Sequence, residues 1–207
     1  MENCVFCDTA NWHNYGKLDE RLIGETKDFW IIATLGQITD GGYLLLVPKK
    51  HVECIGAMTE DEAGALEILI YQITGILYQE YKERSVVFEH GIVGQAIKHA
   101  HIHMIPQYLE LFKKIKSDFP NCMTSEYYSF ESLARNYSLI QKPYLLWRDS
   151  LHVTDIIWDP PAPLQYLRII VADALGRPER ANWRNMDPEL DKKLWSETVE
   201  RMKPYFK

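Results

Sequence analysis

Two short apolar runs, 29–34 (Phe-Trp-Ile-Ile-Ala-Thr) and 43–47 (Tyr-Leu-Leu-Leu-Val), read as buried strands separated by a turn at Asp40, Gly41 and Gly42. From Thr59 the period changes to that of a helix. Ala63, Leu66, Leu69, Ile70, Ile73 and Leu77 form one apolar stripe in a pattern that continues to about Arg84. Thr59 with Glu62 is a capping-box signature at its start. A strand over 85–89, a glycine-containing turn from Gly91 to Gly94, and a strand from about Ile97 to Ile105 follow. Together these elements predict an α+β fold, an antiparallel meandering sheet carrying a long helix, rather than alternating βα units.

After Gln107 the pattern changes. A short helix is expected over 109–117, then an aromatic-rich stretch beyond Pro120. Residues 143–149 and 151–158 read as a hairpin turning near Asp149 and Ser150. The proline-rich segment 159–163 opens a helix over 164–175 that Gly176 terminates, and a last helix runs from Pro188 to Met202. The change of character divides the chain into residues 1–107 and a carboxy-terminal extension, 108–207, of hairpin and helices packed on the first part.

The 207 residues, 46% of them hydrophobic, suffice for a sizeable core and argue against extensive disorder. A formal charge of −6 excludes general electrostatic binding of nucleic acid, although a small anion needs only a few local donors. Lys113, Lys114 and Lys116 read as a solvated helix face. No segment is long and apolar enough to span a bilayer, and residues 1–7 do not resemble a signal peptide, so a cytoplasmic, soluble protein is expected. In that setting Cys4 and Cys7, with Cys-x-x-Cys spacing, suggest a metal or thiol role over disulfides. Cys54 and Cys122 have no partner at ligand spacing.

The informative segment is His99-Ala100-His101-Ile102-His103-Met104-Ile105. In a strand the three histidines share one face, about 7 Å apart, while Ala100, Ile102 and Met104 share the other. The apolar face packs on a core and the imidazoles line an open side, placed for nucleophilic, acid–base or metal work near neutral pH. Spacing alone leaves a metal-binding strand and a solvated histidine-rich face as alternatives.

The run from Gly94 and Gln95 through His99, His101 and His103 to Pro106 resembles the signature of the histidine triad (HIT) superfamily. So do Gly42 through His51, with Pro48-Lys49-Lys50-His51 at its end, and the opening Cys4-Val5-Phe6-Cys7. The resemblance covers roughly the first 107 residues and implies a two-step transfer at the α-phosphate of a nucleotide. His101 would attack phosphorus and form a covalent nucleotidyl-histidine, which water or another acceptor releases. Gln95 and His103 would contact the phosphate, with Ala96 beside them, and His99 would support the site. Uridylyl transferases of the superfamily carry Gln at the last triad position, so His103 points to a hydrolase of phosphoanhydrides or phosphoramidates. The resemblance also implies that His51 and His99 join Cys4 and Cys7 in a structural Cys₂His₂ zinc site. Minimal members pair into a dimer through a continuous sheet; here the extension could support such a homodimer or cap the same surface and leave a monomer.

Several positions depart from the family pattern. Tyr43 stands where relatives often have histidine, Leu35 beside Thr34 where many have a ribose-binding Asn or Asp, and Ala96 where Ser or Thr is common. Glu89 replaces an Asn or Gln, and is read equally as a substrate-binding carboxylate or a structural one. These changes keep two further readings open: a nucleotide-binding or sensing protein with little catalysis, and a nucleotidyl transferase. In the extension Arg168, Arg177, Arg180 and Arg184 are candidate phosphate forks, or partners of acidic neighbours. His13, His90 and His152 are not expected to be ligands.

Overall fold

A computed structural model describes residues 4–149 and 153–206. Eight strands are present among them: β1 (Leu22–Glu25), β2 (Phe29–Ala33), β3 (Leu44–Pro48), β4 (Val86–Gly91), β5 (Ile102–Ile105), β6 (Thr124–Tyr127), β7 (Tyr144–Arg148) and β8 (Thr154–Trp158). They form a single antiparallel sheet in the order β1-β2-β3-β5-β4-β7-β8-β6. Five α-helices accompany it: α1 (Glu60–Tyr81), α2 (Phe112–Asp118), α3 (Phe130–Ile140), α4 (Tyr166–Ala174) and α5 (Pro188–Met202). The α+β fold class expected from sequence is the one observed. The strands of the extension continue the sheet directly, because β7 pairs with β4 along its whole length.

Side-chain alternation assigns the two faces of the sheet. Leu44, Leu46, Val87, Ile102, Met104 and Leu146 point to one side, where the apolar stripe of α1 covers them together with α3 and Trp195 of α5. On the opposite side the layer is split. Phe88, Leu145, Trp147 and Ile157 pack under α4, while Ile32, Leu45 and Val47 pack under the amino-terminal segment through Phe6, Trp12 and Leu18. The candidate site lies where these two covers meet.

Helix α1 starts as its sequence requires. The Thr59 hydroxyl accepts from the Glu62 amide and the Glu62 carboxylate accepts from the Thr59 amide, and Glu60, Asp61 and Glu62 place negative charge at the positive end of the helix. It ends at Tyr81, three residues before the expected Arg84, because Lys82 turns into the left-handed region. The expected strand from Ile97 is shorter than its pattern: β5 begins at Ile102. Before it the backbone leaves the ladder, the Ala100 amide bonding the Val52 carbonyl and the His99 amide the Ile97 carbonyl. Helix α2 is displaced three residues from the expected start at 109, whereas α5 has the expected limits. Strands β7 and β8 pair antiparallel as the hairpin requires; Ser150 of the expected turn, like His152, lies outside the described residues. The aromatic-rich stretch resolves into β6 and α3, the latter capped by the Ser129 hydroxyl accepting from the Ser132 amide.

Candidate active site

Strand β5 carries His103 between Leu45 of β3 and Phe88 of β4, with its ring stacked on Phe88 at 4.6 Å between centroids. The ring of His101, just before the strand, lies 5.1 Å from that of His103. Both line a cavity of about 440 Å³ whose walls are largely apolar, with Leu18, Leu35 and Leu45 among them. The alternation of the triad therefore holds beyond the regular strand. Ala100, Ile102 and Met104 are in the core under α1, and the two imidazoles face the cavity.

The hydrogen bonds of His101 fix its tautomer. Its Nδ1 lies 2.7 Å from the His99 carbonyl oxygen. A carbonyl can only accept, so Nδ1 holds the proton and Nε2 keeps its lone pair. Burial lowers the His101 pKa; the carbonyl bond opposes this, and the Arg168 charge adds to it. The ring is thus a neutral imidazole at pH 7, with a nucleophilic nitrogen that has no protein partner among the described residues. His103 is also held neutral, well below the usual histidine range, by burial first and then by the neighbouring His101, His90 and Arg168.

His99 faces away from the cavity and into a cluster with Cys4, Cys7 and His51. Cys4 Sγ is 3.3 Å and Cys7 Sγ 3.5 Å from His99 Nδ1, and Cys7 Sγ is 3.3 Å from His51 Nδ1. A tight turn makes the cysteines neighbours, since the Cys4 carbonyl accepts from the amides of both Cys7 and Asp8. All four donor atoms lie within 4.8 Å of one another. A tetrahedral zinc ion with ordinary Zn–S and Zn–N bonds would set sulfur and nitrogen roughly 3.5 Å apart, so the donors fit such an ion in chemistry and in spacing. His99 Nε2 donates to the Pro48 carbonyl at 2.8 Å, which fixes Nδ1 as the atom offered to a metal. The cluster could hold a metal.

Two of the residues expected at the substrate do not line the cavity. Glu89 is not at the cavity. In β4 it shares the parity of Val87, so it points under α1 and α3, where it accepts from the Ile55 amide at 2.8 Å and from the Tyr144 hydroxyl at 2.7 Å. Burial pushes its pKa up to about 7 against these two hydrogen bonds. Gln95 is likewise turned aside, its amide donating to the Glu53 carbonyl, while its neighbours Gly94 and Ala96 line the cavity.

The carboxy-terminal extension supplies part of the cavity wall, including Gln165, Arg168, Trp183 and Arg184. It also holds two wall loops from outside. At the 34–37 loop, Asp191 of α5 accepts from the amides of Gly36 and Gln37, and Arg168 of α4 donates to the Gly36 carbonyl. Gly36 has φ +68, and a Cβ there would meet Trp183 Cβ at 2.4 Å, so glycine is required. At the other loop, the Gly94 carbonyl accepts from the Gln165 amide, and the Pro163 carbonyl fills the space a Cβ on Gly94 would need.

The four arginines of the extension divide. Arg177 and Arg180 pair with Asp40, as the acidic-neighbour reading expects, and do not line the cavity. Arg168 and Arg184 do line it, Arg184 lying over the Trp183 ring at 4.4 Å. Sequence reasoning missed Arg21, Gln165 and Trp183, and discounted His90. Arg21 is buried beside the cavity with its pKa lowered to about 10 by burial, and stays charged at neutral pH. His90 lines the cavity as well, its Nε2 accepting from the Leu167 amide. His13 is exposed and pairs with Asp19. Parity along β4 places Phe88 and His90 on the cavity face, but no local signal marks Arg21 or Gln165.

Lys113, Lys114 and Lys116 form the expected solvated face of α2. Cys54 is buried and Cys122 partly so, both as free thiols. Among the described residues no helix is long and apolar enough to cross a membrane.

Part of the chain is similar to known proteins. The family model of the HIT domain matches residues 16–110. The chain is 28% identical over 109 residues to an uncharacterized HIT-like protein of Mycoplasma genitalium, covering 51% of this chain and 74% of that one. It is 29% identical over 107 residues to another from Methanocaldococcus jannaschii, covering 51% and 79%. Among solved structures, a Streptococcus mutans protein superposes with a TM-score of 0.44 and 27% identity, over 52% of this chain and 67% of that chain. Residues 16–110 thus match the HIT domain, and residues 111–207 lie beyond the matched segment.

Proposed function

We infer that the protein is a nucleotide hydrolase that cleaves a phosphoanhydride or phosphoramidate at the α-phosphate through a covalent nucleotidyl-histidine. The observation that carries this reading is the state of His101: neutral, with Nδ1–H tied to the His99 carbonyl and Nε2 unpaired beside the cavity. In the first step the Nε2 lone pair forms an N–P bond as the bond from phosphorus to the leaving group breaks with its electron pair. The ring becomes cationic, and its Nδ1–H then donates more strongly to the His99 carbonyl. His103, Arg168 and Arg21 are the groups able to meet the charge growing on the phosphoryl oxygens. In the second step water attacks phosphorus and gives up a proton to the solvent, the N–P bond breaks with its electron pair returning to Nε2, and the ring returns to neutral as a nucleoside monophosphate leaves.

In this reading residues 1–107 hold the reacting groups and 108–207 close the cavity. Cys4, Cys7, His51 and His99 would hold a zinc ion of structural kind, all four positions being protein ligands. It would tie the amino-terminal segment to the residues before β5, and it takes no part in the transfer. A thiol-rich site of this kind suits a reducing, cytoplasmic compartment.

The test is turnover of a panel of dinucleoside polyphosphates and nucleoside phosphoramidates by wild type and by a His101→Ala variant of equal metal content. The hydrolase reading expects release of nucleoside monophosphate by wild type alone, with both proteins binding it. Tight binding without turnover would replace this reading with a sensor. Transfer to an added acceptor in preference to water would replace it with a transferase.

A further inference from the structure

Tyr43 and Arg168 form a relay that ends on His103. Tyr43 is fully buried, and its hydroxyl is 2.7 Å from His103 Nδ1 and 3.0 Å from Arg168 Nη1. The hydroxyl makes no other hydrogen bond among the described residues. A guanidinium has donors only, so the Tyr43 oxygen accepts from Arg168 and its single proton is left for His103. Nδ1 of His103 is then the acceptor, and the imidazole proton is on Nε2. The opposite arrangement would aim two donors at the Tyr43 oxygen and leave its own buried O–H without an acceptor. Arg168 is itself fixed, because its other nitrogens donate to the carbonyls of Gly36, Arg180 and Ala181.

The far end of the relay is an enclosed atom with nothing bonded to it. His103 Nε2 is buried and has no hydrogen-bond partner among the described residues. A buried N–H without an acceptor is costly, and one in a residue lining a cavity is explained by an acceptor that arrives with the ligand.

We propose that Tyr43, locked by Arg168 of the extension, is a positioning residue that holds His103 as an Nε2–H donor for an anionic oxygen of the substrate. The role of that donor in phosphoryl transfer rests on the hydrolase reading above; the tautomer itself does not. The two residues come from distant parts of the chain, so the extension takes part in setting a proton in the active site as well as in shaping its wall.

The experiment is long-range ¹H–¹⁵N correlation of the histidine rings in the intact, metal-replete protein, paired with steady-state kinetics of wild type and Tyr43→Phe. Phenylalanine keeps the ring that packs near Phe88 and removes only the hydroxyl. Wild type is expected to show His103 protonated on Nε2. In Tyr43→Phe the two tautomers should mix, and kcat should fall roughly 10- to 100-fold with KM changed by less than about threefold. Protonation on Nδ1 in wild type would overturn the proposal, and that spectrum decides the matter even if the variant fails to fold. So would a variant with the wild-type tautomer and kcat. If the spectra behave as expected but wild type turns over no nucleotide, the relay stands and the hydrolase reading falls.

Discussion

The two halves of the sheet contribute different things to one cavity. Strands β1 to β5 and the amino-terminal segment bring the imidazoles of His101 and His103 to the cavity and, away from it, the cluster of Cys4, Cys7, His51 and His99. The extension mainly brings restraint. Asp191 and Arg168 hold the 34–37 loop, Pro163 and Gln165 hold the 94 loop, and Arg168 reaches through Tyr43 to His103. The two cavity imidazoles are two positions apart in the chain, whereas the restraining hydrogen bonds from the extension join residues from 71 (Gly94 to Gln165) to 155 (Gly36 to Asp191) positions apart. Substitutions in the two halves should therefore fail differently.

The largest effect is expected from His101→Ala. Loss of the nucleophile should lower kcat by at least about 10³-fold while nucleotide affinity stays within a few-fold, measured by turnover and calorimetry. A variant retaining wild-type rates would remove His101 from the chemistry.

Removing the metal ligands should act on stability first. Cys4→Ser, or dialysis against a strong chelator, is expected to release one zinc equivalent per chain and lower Tm by roughly 10 °C. Metal analysis beside thermal unfolding checks both. A protein purified without zinc, and with unchanged Tm in Cys4→Ser, would show that the four donors meet without holding an ion.

Asp191→Ala tests the restraining half. It leaves the Gly36 and Gln37 amides without their acceptor and should cost about 3 kcal/mol in urea unfolding. It should also raise KM more than it lowers kcat, because the loop it frees is cavity wall. Equal losses in both parameters would place Asp191 closer to the chemistry than its geometry does.

The smallest effect concerns Glu89, the carboxylate that belongs to neither role. Its folded pKa of about 7 is above the ordinary 4.5. Between these values the folded protein retains a proton that the unfolded chain releases, so its contribution favours folding most below pH 4.5 and fades as pH rises through 7. Glu89→Gln should flatten the stability profile by about 2 kcal/mol between pH 5 and 7. Profiles of identical slope would mean that Glu89 is ionised throughout.

What could be read from sequence follows the same division. The capping box of α1, the strands flanking Gly41 and Gly42, the limits of α5 and the alternation that sends Ala100, Ile102 and Met104 to the core and His101 and His103 to the cavity all arise from neighbours in the chain. The placement of Glu89 was also within reach, since parity with Val87 sends it to the core side of β4. Other features had no local signal. Strand β6 is a four-residue edge element that exists because β8 offers it a partner. Strand β5 starts late because Val52, not a neighbouring strand, takes the Ala100 amide. Tyr43 reads from sequence as a lost histidine; only the approach of Arg168, 125 positions away, shows what its hydroxyl does.

The most direct measurement is intact mass under neutral denaturing conditions, within milliseconds of mixing with a turned-over nucleotide substrate, followed by peptide mapping. The account predicts a transient species heavier by one nucleotidyl group, located on His101 and missing from His101→Ala. Rapid turnover with no such species in wild type, or an adduct on any other residue, would contradict it.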